Sequence, residues 1–282
     1  MTTYVDTYQK ISLSVAGIGY GNPPEFRIVG SGFLIHPSGI IATNWHVAKA
    51  LLTEKSGQIL IRSDACAVFF VHDPDNPKDE CIRGMLAVPV TGIGGLPEQK
   101  TISVEVPMFR GLKPSEVIKQ ERPDISLLKV DFSRVPIELC HVPPVDKVIP
   151  RVLRVGEEVA ICGFPQGLNF PVRYKAGDKI QLTPLLQVGH VAGVLPFDGV
   201  PFPSEYVLDI PVNGGSSGSP LFTSDGIIVG IVYAARMDFA TLIDPDMPKD
   251  LDESSRAGVF VPTSLGLAVP ATRFPKEMLK EK

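Results

Sequence analysis

Ser217 stands in the stretch Asn213-Gly214-Gly215-Ser216-Ser217-Gly218-Ser219-Pro220-Leu221-Phe222, between the apolar runs Tyr206 to Ile210 and Gly226 to Tyr233. The pattern is that of a tight loop joining two buried strands. Its immediate return to strand through Ser-Pro-Leu-Phe sets it apart from a flexible linker. Glycines on both sides of one serine let the backbone turn sharply, expose the hydroxyl and aim successive N–H groups at one point, where a carbonyl oxygen can become an oxyanion. That composition suits acyl transfer with Ser217 as nucleophile. A serine hydroxyl attacks weakly until a base takes its proton, and an imidazole base needs a carboxylate to orient it. Read singly, the partners are ambiguous. His46 opens a short stretch after a strand, as any boundary residue does, and Asp124 leads into the apolar run Ile125 to Val130, as a turn residue does. His190, in Gln187-Val188-Gly189-His190-Val191, is a rival imidazole.

The elements that must position these groups are strands. The chain has 282 residues, enough for one large domain or two modest ones, and its 27 Pro, 26 Gly and mostly short apolar runs favour many strands and turns over long helices. Strands are expected over Tyr8 to Ala16, Phe26 to Ile35, Ile40 to Asn44, Gln58 to Arg62, Ala65 to Val71, Gly84 to Thr91, Ile102 to Val106, Ile125 to Val130, Glu157 to Pro165, Leu185 to Val194 and Tyr206 to Pro211. Gly17 to Pro24 reads as a hairpin turn; no Gly-Lys-Ser/Thr follows it, as a phosphate-binding loop would require. Residues 131–150, with Pro136, Pro143, Pro144 and Pro150, read as a connection between two halves. Asp238 to Glu253 reads as a polar loop insertion and Pro275 to Lys282 as a terminal helix.

Composition narrows the function classes. A net charge of −4 gives no support for nucleic-acid binding. No run of eighteen apolar residues suggests a membrane span. Met1 to Asp6 has neither a basic segment nor an apolar one, so the expected compartment is the cytoplasm rather than a secreted location. The four cysteines, at 66, 81, 140 and 162, have no zinc-like spacing. Cys162 reads as a buried thiol, and Cys66 and Cys81, which could face each other across a hairpin, as free thiols in a reducing compartment. Neither a metal nor an organic cofactor is called for.

Gly215-x-Ser217-Gly218-x-Pro220 resembles the serine loop of chymotrypsin-fold (trypsin-like) peptidases, closest to the HtrA/Deg and glutamyl-endopeptidase branches. Gly30-Ser31-Gly32-Phe33-Leu34-Ile35 with Ala42-Thr43-Asn44-Trp45-His46-Val47 resembles the histidine segment of HtrA/Deg proteins, Asp124-Ile125-Ser126-Leu127-Leu128 their aspartate strand, and Val155 to Val159 with Gly163-Phe164-Pro165 a later segment. The likeness is weak over residues 53–115. It implies an all-β fold of two six-stranded antiparallel barrels with a short C-terminal helix, over residues 1–130 and 151–282. It also implies a triad of His46, Asp124 and Ser217, an oxyanion hole from the N–H groups of Gly215 and Ser217, and a polypeptide substrate. His190 matches no base position in this family. No PDZ-like extension follows in the sequence, and a regulatory protein partner, if there is one, is not identified by it. A catalytically silent binding module and an esterase are the alternatives.

Two finer expectations follow. Arg27-Ile28-Val29-Gly30 looks like a zymogen cleavage site but lies only eighteen positions before His46, and the residue beside the nucleophile is Ser216, not the carboxylate a new terminal ammonium would need. It is therefore read as strand. The resemblance places the base of the primary pocket at Pro211 and its walls at Val232, Tyr233, Ala234 and Ala235. None is charged, so the expected cut follows small or medium apolar residues. Asp209, two positions before Pro211 on a strand, is the one carboxylate that could share that face.

Overall fold

The computed structural model describes residues 3–22, 25–72, 82–95, 123–135, 142–165, 172–174, 177–179, 183–241 and 258–279. The N-terminal segment departs from the expected strand, because α1 (Tyr4–Ser14) is a helix. Its start is a reciprocal cap: Asp6 N donates to Thr3 Oγ1 at 3.3 Å and Thr3 N to Asp6 Oδ2 at 3.1 Å. Its buried residues, Thr7, Ile11 and Ser14, recur at helical spacing. Thr7, Tyr8 and Ser14 donate to the carbonyls of Ser224, Pro184 and Pro143, at 2.6 to 2.7 Å. The loose alternation of this segment is overridden by its cap and by these anchors.

The first barrel consists of β1 (Val15–Asn22), β2 (Glu25–His36), β3 (Ile40–Thr43), β6 (Ala65–His72), β7 (Ile82–Gly95) and β8 (Ser126–Val130), closed in the order β1-β2-β3-β8-β7-β6. The short helix α2 (Trp45–Lys49) follows β3, and a hairpin of β4 (Leu52–Lys55) and β5 (Gln58–Ile61) follows α2. The second barrel begins after β9 (Lys147–Val148). It comprises β10 (Glu158–Gly163), β13 (Leu185–Leu195), β14 (Glu205–Leu208), β15 (Pro220–Phe222), β16 (Ile227–Thr241) and β17 (Gly258–Pro270). Its ring runs β15-β10-β13-β14-β17-β16 and closes where β15 pairs with β16; β9 adds to β16 in parallel. A small hairpin, β11 (Val172–Tyr174) with β12 (Gly177–Lys179), stands apart from both rings.

Alternation along the strands explains the continuous apolar runs. On β6, Ala67, Phe69 and Val71 fill the first barrel while Cys66, Val68 and Phe70 face a third apolar cluster. On β10, Val159 and Ile161 fill the second barrel while Ala160 and Cys162, with Phe164 just past the strand's end, face that same cluster. Strands of both barrels are therefore buried on both faces, one toward their own core and one toward the seam between barrels. Phe70 and Phe164 meet across the seam with ring centroids 5.3 Å apart.

Several expectations are adjusted. Asp238 to Thr241 continue β16 and pair with β17 down to Gly258, rather than opening a loop. The C-terminus, up to residue 279, carries two 3-10 turns, Ala271–Arg273 and Lys276–Met278, in place of the expected helix; Phe274 and Met278 are buried there. Ile28 lies within β2, opposite Gly19, as a strand residue should. Cys66 and Cys162 are free and buried. The expected strand at Ile102 to Val106, with Cys81 and Cys140, lies outside the described residues. Among the described residues no helix is long and apolar enough to cross a membrane.

Candidate active site

Pairing of β3 with β8 sets Thr43 opposite Ser126, which brings the residues just before β8 against the N-terminus of α2. Asn44 occupies the cap position of α2 but makes no cap bond; its Nδ2 donates to the Asp124 carbonyl at 2.6 Å. The Asp124 carboxylate takes over the capping role. Oδ1 accepts the His46 backbone N–H at 3.1 Å, and Oδ2 is hydrogen-bonded to His46 Nδ1. With Nδ1 donating to a carboxylate, the neutral imidazole carries its free lone pair on Nε2. The His46 side chain is half exposed, so that nitrogen is open to a reactant.

Ser217 comes from the other barrel, and its loop is fastened across the seam. Ser31 N donates to the Ser217 carbonyl at 2.6 Å and Ser31 Oγ donates to the Gly215 carbonyl at 2.8 Å, while within the loop's own barrel Gly218 N donates to the Val232 carbonyl at 2.8 Å. Gly218, at φ +89°, sits so close to β2 that a Cβ there would lie 1.9 Å from the Ser31 carbonyl oxygen. Gly30 lets the loop and α2 approach: a Cβ there would lie 2.5 Å from a Val47 methyl and 3.0 Å from the Ser217 carbonyl oxygen. Gly215 has φ +91°, which glycine adopts freely. Within the loop, Ser216 N donates to Asn213 O and Ser219 N to Ser216 O, both at 3.0 Å. The N–H groups of Gly215 and Ser217 have no hydrogen-bond partner among the described residues.

The Ser217 hydroxyl donates to the Tyr233 backbone carbonyl at 3.0 Å, and among the described residues no hydrogen bond joins it to His46. The serine–imidazole link expected of a triad is thus not made in this conformation.

Of the expected pocket residues, Val232 is wholly buried in the second barrel's core, so its side chain is unavailable to a substrate. Tyr233 presents its carbonyl at a bulge in the β16 ladder while its ring packs against the seam cluster. Burial and the nearby Glu205 carboxylate push its phenol upward, keeping it neutral. Ala234 and Ala235 are half-buried and Pro211 is exposed. Gln187 Nε2 donates to the Pro211 carbonyl at 3.0 Å. Asp209 is engaged elsewhere: Oδ1 accepts the His190 backbone N–H, and Oδ2 lies 3.1 Å from His190 Nδ1. The His190 N–H holds the Asp209 carboxyl below its usual range. His190 accordingly belongs to a second His–Asp pair on the outer surface of β13.

Ser31 and Asn44 stand inside the segment resembling the histidine motif and Tyr233 is an expected pocket wall, but the hydrogen bonds these three make to Asp124 and the serine loop are not expected from the sequence. The only local signal was a serine between two glycines on an otherwise apolar strand.

Two six-stranded antiparallel barrels, with a glycine-flanked serine loop of one clamped to the other, define the chymotrypsin-like class of serine peptidases. The profile described as "Trypsin-like peptidase domain" matches residues 30–231, from Gly30 to Ile231, and the chain belongs to that family. It is 27% identical over 212 residues to a DegP-like periplasmic serine endoprotease of Halomonas elongata, covering 75% of this chain and 30% of that protein. Among solved structures it is similar to the HtrA-type protease AlgW with a decapeptide, at 16% identity and TM-score 0.49, covering 95% of this chain and 64% of that one. It is likewise similar to the serine endoprotease from Yersinia pestis, at 17% identity and TM-score 0.48, covering 96% and 63%. The chain thus spans about a third of that curated relative and under two thirds of these solved chains. The cytoplasm expected from the N-terminal residues is not the compartment named for the relative, which is periplasmic.

Proposed function

We propose that the chain is a serine endopeptidase that cuts polypeptides through an acyl-enzyme, with Ser217 as nucleophile, His46 as general base and acid, and Asp124 as its orienter. One observation carries this reading: His46 and Asp124, 78 positions apart in sequence, are joined by two hydrogen bonds. His190 and Asp209 make the same two contacts, but only His46 sits on the helix that meets the serine loop, where a Cβ on Gly30 would touch both Val47 and the Ser217 carbonyl oxygen. In the cycle, the Ser217 hydroxyl leaves the Tyr233 carbonyl and gives its proton to His46 Nε2 as Oγ attacks the scissile carbonyl. Asp124 stabilises the imidazolium that forms, and His46 returns the proton to the departing amine. Water then repeats the sequence on the ester. The N–H groups of Gly215 and Ser217 are the candidate oxyanion donors; loss of one such donor costs about a hundred- to a thousandfold in rate. No step draws on a metal or organic cofactor.

A cut after small or medium apolar residues follows from Ala234 and Ala235 as half-buried walls and from Asp209 being engaged by His190. One methylene in such a pocket discriminates by about 1–3 kcal/mol. The second reading is a silent binding module, favoured by the Ser217 hydroxyl resting on Tyr233 O. Fluorophosphonate labelling followed by peptide mapping separates the two. Modification at Ser217 supports the enzyme, and an unmodified Ser217 in folded protein refutes it. Peptide-library cleavage then distinguishes a peptidase from an esterase.

A further inference from the structure

We infer that Ser31, a residue of the opposite barrel, is a positioning residue that holds the oxyanion-binding turn in its working shape, an inference that rests on the proposed peptidase reading. Ser31 is fully buried within an apolar strand, where alanine would fill nearly the same space. Its polar atoms are all engaged. Phe164 N donates to Ser31 Oγ at 2.9 Å, so the single hydroxyl proton is left to point at the Gly215 carbonyl, 2.8 Å away. Its N–H goes to the Ser217 carbonyl at 2.6 Å, and its own carbonyl accepts the Thr43 hydroxyl at 2.7 Å.

These bonds fall on particular peptide planes. Holding the Gly215 carbonyl fixes the plane between Gly215 and Ser216; holding the Ser217 carbonyl fixes the plane between Ser217 and Gly218. The peptide between Ser216 and Ser217, which carries one of the two candidate oxyanion donors, lies between those planes: they hold the two Cα atoms about which it could turn, and its own carbonyl accepts the Ser219 N–H at 3.0 Å. An oxyanion donor works because it is aimed before charge develops, so a loosened plane weakens transition-state binding while leaving substrate binding alone.

The test compares wild type with Ser31→Ala and Ser31→Gly, both of which keep the backbone N–H and lose the hydroxyl. The expected result is a fall in kcat of about ten- to a hundredfold, the scale of a displaced catalytic group, with KM changed less than about twofold. A peptide boronic acid, which forms a tetrahedral adduct, should lose affinity about tenfold or more, while the matching peptide carboxamide keeps its affinity. A kcat within about threefold of wild type, or equal losses for boronate and carboxamide, would overturn the inference. Where the Ser31 variants do not fold, Thr43→Val, which removes only the bond to the Ser31 carbonyl, should show the same split at about three- to tenfold; an unchanged kcat there overturns it equally. Wild-type protein that neither turns over peptides nor binds the boronate would instead overturn the peptidase reading itself.

Discussion

Gly218→Ala should destabilise the fold far more than an ordinary glycine-to-alanine change, because two penalties coincide. At φ +89° an L-residue pays about 1–2 kcal/mol for the left-handed backbone. The added Cβ would also lie 1.9 Å from the Ser31 carbonyl oxygen and 2.7 Å from Thr43 Oγ1, so backbone of β2 must move. Forcing atoms into such a packed site costs about 1–3 kcal/mol more, and moving the loop endangers the Gly218 N–H bond to the Val232 carbonyl, worth about 1 kcal/mol. A total near 3–6 kcal/mol corresponds to a Tm lower by roughly 6–24 °C for a chain of this size. Gly199→Ala is the control. Its φ is +82°, but no atom lies within 4 Å of the point its Cβ would occupy, so only the backbone term of about 1–2 kcal/mol applies. Thermal melts of the two variants, followed by circular dichroism, isolate the contact term as their difference. Equal shifts in the two would refute the claim that the serine loop is wedged against the first barrel.

Ser217→Ala should abolish turnover while Tm changes little, and Asp124→Asn should lower kcat by about ten-thousandfold, because an amide no longer selects the productive imidazole tautomer; steady-state kinetics beside thermal melts check both, and near-normal activity in either sinks the triad. A peptide library should show apolar residues before the cut, and a profile dominated by Arg and Lys would implicate Asp209 despite its bonds to His190. The Asp209 carboxyl is depressed in the folded state by the His190 N–H, so its stabilisation is present above the unfolded carboxyl pKa and lost as pH falls through the lower folded value. The Tm gap between wild type and Asp209→Asn should therefore begin to close near pH 3.9, about the unfolded aspartate value, and go on narrowing below it; a gap that does not narrow at all as pH falls from there would refute it. Burial raises the Cys66 thiol to about 11 and pushes Cys162 up as well, so neither should react with a maleimide at neutral pH in the folded protein. Mass spectrometry finding either labelled would contradict that burial.

The sequence alone determined features whose physical cause is local. A serine between glycines at 215 and 218, returning at once to an apolar run, marks a turn that can present a hydroxyl. Strand periods mark most of β2, β5, β6, β10 and β13, because alternation with a period of two is written residue by residue. Ser216 and the short distance from Ile28 to His46 argued against a zymogen, and Ile28 lies inside β2. Tertiary structure decided whatever depends on partners far along the chain. Residues 8–16 have a weak alternation, and only the Thr3–Asp6 cap with the contacts at Ser224, Pro184 and Pro143 makes a helix of them as far as Ser14, leaving Val15 and Ala16 to open β1. Val232 and Tyr233 are equally apolar neighbours, yet a bulge sends one into the barrel core and leaves the other with its carbonyl under the Ser217 hydroxyl. Asp209 is expected to share a strand face with Pro211 by spacing, but β14 ends at Leu208 and Asp209 is captured by His190 of β13. Ser31 is legible only as a strand residue, since the groups it holds lie 133 and 184 positions away. A hydrogen bond over that distance is set by how two barrels close and meet, and no window of sequence contains both ends.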